Sequence, residues 1–344
     1  MISGDDLYVI EVGKKFGYMN KVGEIVISPQ FEYAEDFNNE IAVVGKGEKF
    51  SFINLEGKLI SDYIYDDVFE ENEGLTVVEK QGKMGYVNCR AKLVIDTTFQ
   101  DAQGFSEGYA AVQVDYKWGY IDNLGKFIIE PQFLSAFNFN EGLALVQSGG
   151  KLGYIDKKGK FEIEPSYDYA FSFSEGCAGV KIKNNFGFID NKGKVIIKPK
   201  YYSVSDFHEG LSAVEKNEKY GFINKEGKFT FPAIYDWADN FYNSVAAVAI
   251  GDRYGFINKD GSEVIPIKYE NVDNVNEGLF SVQTNGKWGI INEQDKFVVE
   301  PVFDEISNFR NGIAKVIFNG KMKYININGE YIIWKIFKFK LKEI

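Results

Sequence analysis

The chain has 344 residues, a net charge of −11 and a sequence pI near 4.9; 45% of its residues are hydrophobic and 26% charged. That balance excludes a disordered chain, and the acidity argues against wholesale nucleic-acid binding, which needs clustered Lys and Arg against phosphate. With only Cys89, Cys177 and His208 available, Cys/His zinc ligation is excluded and a disulfide framework disfavoured.

Aromatics make up 16% of the chain, with 21 Tyr and 30 Phe. Such a content fits either an all-β core or a surface that stacks on ligands. The first residues, MISGDDLYVIEVG, show no basic segment followed by an apolar one, so no signal peptide is expected and the cytoplasm is the default compartment. No apolar run approaches the roughly 18–20 residues of a membrane span.

Moving along the chain, the phrase FGYMN returns as KMGYVN, KWGYID, KLGYID, NFGFID, KYGFIN, RYGFIN and KWGIIN. Its glycine stands at Gly17, Gly85, Gly119, Gly153, Gly187, Gly221, Gly255 and Gly289, while Ser51 and Lys323 keep the frame without it. Every step is 34 residues, with no insertion or deletion. A linker would break that register, so residues 1–344 read as one domain of ten repeats.

Residues 141–174 show the content of one repeat. LALVQ ends at Ser148-Gly149-Gly150, LGYID at Asp156-Lys157-Lys158-Gly159, and FEIEP at a proline. Asx at the first turn position with Gly at the fourth is the chemistry of a type I turn, with the glycine free to take positive φ. The Asx column is filled in all ten repeats: Asn20, Asn54, Asn88, Asp122, Asp156, Asp190, Asn224, Asn258, Asn292 and Asn326. Short runs rich in Ile, Val, Phe and Tyr between such turns predict β-hairpins; helical hairpins share the period, but ten such turn signals would break any helix.

The full signature is Φ-Gly-Φ-Ile-Asn/Asp-x-x-Gly-Lys…Pro-x-Φ…Phe-x-Glu-Gly-Leu-Ala-x-Val. It resembles the bacterial WG-repeat (KWG-repeat) family of β-repeat proteins. The literal Trp-Gly pair survives at Trp118-Gly119 and Trp288-Gly289. The resemblance covers essentially the whole chain. It implies a binding or scaffolding role and supplies no catalytic residues.

A unit this small cannot bury a core alone, so neighbouring repeats must complete it. One column is aromatic throughout: Phe31, Tyr65, Phe99, Phe133, Tyr167, Tyr201, Tyr235, Tyr269, Phe303 and Phe337. Those of Phe16, Tyr18 and Phe37 are mostly aromatic. Most aromatics are therefore framework. Charges constrain how the units pack. The column of Lys15 is basic in nine of ten repeats, and another carries Glu73, Glu107, Glu141, Glu175, Glu209 and Glu277. Strand-on-strand stacking would set like charges about 4.8 Å apart, whereas face-packed sheets lie about 10 Å apart. The expected fold is thus all-β, each repeat a small antiparallel meander, with sheets packed face to face as propeller-like blades. The array forms an open spiral or a wide ring; a β-solenoid is the alternative. The last repeat loses the glycine, the proline and the Glu-Gly motif, which points to an open end capped by the alternating IFKFKLKEI segment.

Catalytic signals are weak. No nucleophile elbow, phosphate loop, dinucleotide glycine pattern or calcium loop occurs. His208 sits in a variable column, and pairing it with Cys177 would be its only dyad. Acids such as Glu32, Asp66, Asp168, Asp236, Glu270 and Asp304 recur as a column, which reads as solvated repeat surface. No enzyme activity, metal or cofactor is expected. Specificity should lie in the arc after each proline, where Phe69, Phe137, Tyr169, Phe171 and Trp237 interrupt polar columns. They either anchor a partner or staple adjacent repeats. The expected partner is a protein, with a glycan or cell-envelope ligand as the alternative.

Overall fold

A computed structural model describes residues 4–276 and 278–334. Its architecture follows from three turns per repeat. In the repeat that forms the fourth sheet, the Glu107-Gly108 loop has both residues at positive φ (53° and 83°), and so does the Asp115-Tyr116 loop (49° and 60°). Two successive positive φ values define the type I′ hairpin, whose twist matches that of its flanking strands. The third connection is the Asx turn. In all ten repeats the Asx side-chain oxygen accepts the N–H four residues on, as from Lys126 to Asp122 at 2.9 Å. Gly125 closes the same turn at φ 79° and donates its N–H to the Asp122 carbonyl.

These turns join an arc strand, Asp101–Ala102, a hairpin, Tyr109–Val114 with Lys117–Asp122, and a last strand, Phe127–Phe133. The four pair antiparallel in chain order. Ten such sheets of three or four strands occur among the described residues, one per repeat, and no strand pairing joins two of them. The β-solenoid is thereby excluded. Each repeat is one propeller-type blade.

The recurring glycine has a steric cause. Trp118 pairs with Phe133 but Tyr120 pairs with Ile129, so the last strand bulges by two residues opposite Gly119. A Cβ on Gly119 would lie 2.5 Å from the Ile129 carbonyl oxygen and 2.7 Å from the Pro131 nitrogen. The two repeats without this glycine test the point. All eight that keep it have a seven-residue last strand. In the Ser51 repeat that strand dissolves into isolated bridges, and Ser51 donates its hydroxyl to the Ser61 carbonyl at 2.6 Å. In the Lys323 repeat it shrinks to Tyr331–Ile332.

By contact density the chain divides into two units, residues 1–97 with 298–344, and residues 98–297. In the second unit each core cluster is shared by successive blades. The fourth blade gives Tyr120, Ile129 and Phe133 and the fifth gives Phe139, Val146 and Ile155 to one of them. The first unit does the same between its first and second blades and between its second and third. It also corrects the expected open end. The first blade's Tyr8, Ile10 and Met19 form one cluster with Ile313 and Tyr324 of the tenth. The Tyr324 hydroxyl donates to the Val9 carbonyl at 2.7 Å, and the Arg310 guanidinium to that of Leu7 at 2.7 Å. The proposed capping strand in IFKFKLKEI lies outside the described residues, as does Phe337.

Candidate functional site

Three side-chain columns build the surfaces between and around the blades. In the first, the aromatic of the second hairpin strand packs on a phenylalanine of the next blade's arc. Tyr18–Phe37, Tyr154–Phe173, Phe188–Phe207 and Phe222–Phe241 all have ring centroids 4.8 Å apart. Where the first ring is tyrosine, its hydroxyl continues to an arc carbonyl, as Tyr120 to Phe137 and Tyr154 to Phe171. Burial drives the pKa of these phenols well above the ordinary range.

In the second column, the Glu of each Glu-Gly turn reaches forward. Glu175 accepts the Gly210 N–H at 3.0 Å and pairs with Lys225 at 3.2 Å. Glu107 accepts from Gly142 and pairs with Lys157, and Glu209 accepts from Ser244 and pairs with Lys259. At these three junctions the like charges are thus neutralised between blades rather than simply kept apart.

The third column corrects the reading of the acids as mere solvated surface. Glu32, Asp66 and Asp236 pair with Lys15, Lys49 and Lys219. Each also accepts a backbone N–H of the following hairpin turn, from Gly47, Gln81 and Gly251. Their pKa values are lowered, that of Glu32 chiefly by the Gly47 N–H, those of Asp66 and Asp236 chiefly by their lysines. These acids hold turns.

The five arc aromatics remain exposed, from 38% for Phe171 to 62% for Tyr169. They are spread over the third, fifth, sixth and eighth blades, and among the described residues no ring contact joins any two of them. Three of them lean on their own blade. Phe171 lies 5.8 Å from Phe186, Trp237 lies 5.8 Å from Tyr254, and the Lys181 ammonium stands 5.2 Å over the Tyr169 ring. Tyr33, in the column of Tyr169 and Trp237, is exposed in the same manner and was legible from that column. Its hydroxyl donates to Glu35 at 2.7 Å, and burial together with that carboxylate pushes its pKa up to about 12.

Among the described residues no hydrogen bond joins Cys177 and His208. Cys177 is buried with its thiol directed at the Glu175 carbonyl, and burial pushes its pKa up. His208 instead packs against Tyr242, with ring centroids 5.0 Å apart. Among the described residues no group of three or more His, Cys, Asp or Glu is placed to hold a metal ion, and no helix is long and apolar enough to cross a membrane.

Comparison with known families matches the one described as "WG containing repeat" nine times in succession, from residues 16–50 through 118–151 and 220–254 to 288–321. The chain belongs to this WG-repeat family. No curated protein matches it. Among solved structures, one described as the eukaryotic initiation factor is 9% identical, with a TM-score of 0.58, over 85% of this chain and 94% of that one. The computationally designed Ika8 protein is 10% identical over 83% of this chain and 98% of the other, with a TM-score of 0.45. The dihydro-heme d1 dehydrogenase NirN is 12% identical over 84% and 75%, with a TM-score of 0.43. At such identities the likeness to the initiation factor concerns the fold alone. The WG-repeat match likewise brings no site residue with it.

Proposed function

We propose that this WG-repeat protein is a non-catalytic interaction module that binds a protein partner through the arc loops of its blades. One observation carries the reading. In columns that are otherwise polar, Phe69, Phe137, Tyr169, Phe171 and Trp237 stay exposed although the same fold buries the aromatics of the Tyr18 and Phe37 columns. Large rings half open to solvent are what interface anchors require, because they bury much area at little cost in conformational entropy. The recurring charges have structural duties in turns and between blades, which leaves the arcs as the part free to vary. A glycan ligand would use the same rings as stacking platforms and is the second reading.

The test is capture from native cells by immobilised protein, wild type against the triple variant Tyr169→Ala, Phe171→Ala, Trp237→Ala. Loss of specific bands with an unchanged thermal melt supports the assignment. Unfolding of the variant, or undiminished capture, refutes it. Saturable binding on a glycan array that depends on the same residues would replace the protein partner with a sugar.

A further inference from the structure

At one junction a carboxylate stands where the inter-blade ring partner is expected. On the second blade Phe52 is buried, and the residue that should supply its ring partner on the third blade is Glu71. The same column elsewhere holds Phe37, Phe105, Phe139, Phe173, Phe207, Phe241 and Phe309, all buried, and Val275. The inter-blade ion pair is missing at this junction too. Three junctions set Glu107 against Lys157, Glu175 against Lys225 and Glu209 against Lys259; this one has Asn39 and Cys89.

The result is a cavity of about 280 Å³ lined by Phe52, Asn39, Cys89 and Glu71, with Glu35, Asp36 and Glu70 also on its wall. Glu71 is half-buried and accepts the Asn38 amide at 3.1 Å and the Gly74 N–H. Among the described residues neither Glu70 nor Glu71 has a cationic partner, and Asp36 has only Arg310 at 3.8 Å. A second observation points the same way. Thr76 lines the cavity at 5% exposure, and its hydroxyl makes no hydrogen bond among the described residues. In its column Ser212, equally buried, satisfies its own hydroxyl on the Ser205 carbonyl.

We infer that this cavity binds a basic side chain, lysine or arginine, of the partner; the partner half of this rests on the interaction-module reading above. The missing ring leaves room for an aliphatic stem against Phe52 and Val43, and Glu71 and Glu70 take the place opposite the cation that a lysine fills at other junctions. Thr76 supplies a hydrogen-bond acceptor, and Phe69 forms the outer wall, which places one of the arc aromatics at the mouth. The volume falls just below the roughly 300–1,000 Å³ of small-molecule pockets, which suits one side chain rather than a larger ligand.

The probes are Nα-acetyl-lysine methylamide, its neutral isostere Nα-acetyl-norleucine methylamide, and putrescine, titrated calorimetrically into the full chain. A parallel readout is the rate at which N-ethylmaleimide alkylates Cys89, the exposed cysteine, with buried Cys177 as reference. The expected result is saturable, salt-sensitive binding of the lysine derivative, with Cys89 protected and the norleucine derivative inert. Glu71→Phe, which restores the column's usual residue, should weaken binding by about tenfold or more. The pair Asn39→Glu with Cys89→Lys should do the same by supplying the cation internally. Equal binding of the norleucine derivative, or binding that neither variant changes, overturns the pocket. Putrescine binding more tightly than the lysine derivative overturns its assignment to a partner's side chain in favour of a free amine. Variants at Tyr169, Phe171 and Trp237 leave this titration unchanged, so failure of the interaction-module reading and failure of the pocket are separable.

Discussion

Replacing Gly119 by alanine adds one methyl group where the bulged last strand leaves no room. The new Cβ would meet the Ile129 carbonyl oxygen at 2.5 Å, the Pro131 nitrogen at 2.7 Å and the Glu130 carbonyl carbon at 2.9 Å. All three are backbone atoms, so no side chain can swing away, and the bulge itself must move. Overpacking of this kind costs about 1–3 kcal/mol where side chains can yield, so a rigid backbone contact belongs at about 3 kcal/mol. For a chain of this size that lowers the melting temperature by roughly 5 °C. Gly108→Ala in the same repeat is the control. Its φ is 83° and nothing lies within 4 Å of the added methyl, so only the left-handed backbone is penalised, at about 1 kcal/mol. Urea denaturation followed by circular dichroism, with thermal melts alongside, compares the two. Should Gly119→Ala cost no more than Gly108→Ala, the steric account of the recurring glycine fails, and with it the explanation of the irregular strands in the Ser51 and Lys323 repeats.

Other perturbations separate the remaining contacts. Asp156→Ala removes the acceptor for the Lys158 and Lys160 N–H groups and should destabilise by about 1 kcal/mol, while Asp156→Asn, the residue of seven of the other nine repeats, should be neutral in the same melts. Tyr324→Phe deletes the hydroxyl that bonds the tenth blade to Val9 and should cost about 1 kcal/mol, read as faster hydrogen exchange along Leu7–Val12. The pKa of Glu209 lies below its ordinary value of 4.5, first through Lys259 and then through the Ser244 N–H. A depressed carboxylate adds stability above its unfolded pKa and loses it as pH falls through the folded one, so the melting temperature should drop on acidification below about pH 4.5. Lys259→Met should flatten that acid limb; an unchanged limb would show that the ion pair is not coupled to folding.

Much of this fold could be read from the sequence because a repeat displays its own alignment. The ten Asx residues, the eight glycines and the basic column each marked one structural position, and the Asx prediction holds at every turn. What escaped was of two kinds. Some columns recur for reasons that only the third dimension supplies. Glu32, Asp66 and Asp236 look like solvent-facing acids until the backbone N–H of a turn 15 residues further on is seen to bind them. Other features are exceptions whose meaning depends on a neighbour in space. Glu71 is one deviation in a mostly aromatic column, and only its position opposite Phe52, beside Asn39 and Cys89, turns it into the wall of a cavity. The tenth repeat's losses looked like an end of the array for the same reason, since Tyr8 and Arg310 are far apart in sequence but in contact.

The central claim, that the arcs rather than the turns or last strands receive the partner, is tested most directly by hydrogen exchange on the captured complex. The account predicts slowed exchange in the arc segments 67–72, 135–140, 169–173 and 237–241 relative to the free chain, with the Asx turns unaffected. Protection confined to the Asx turns and the last strands, with the arcs exchanging as in the free protein, would contradict it.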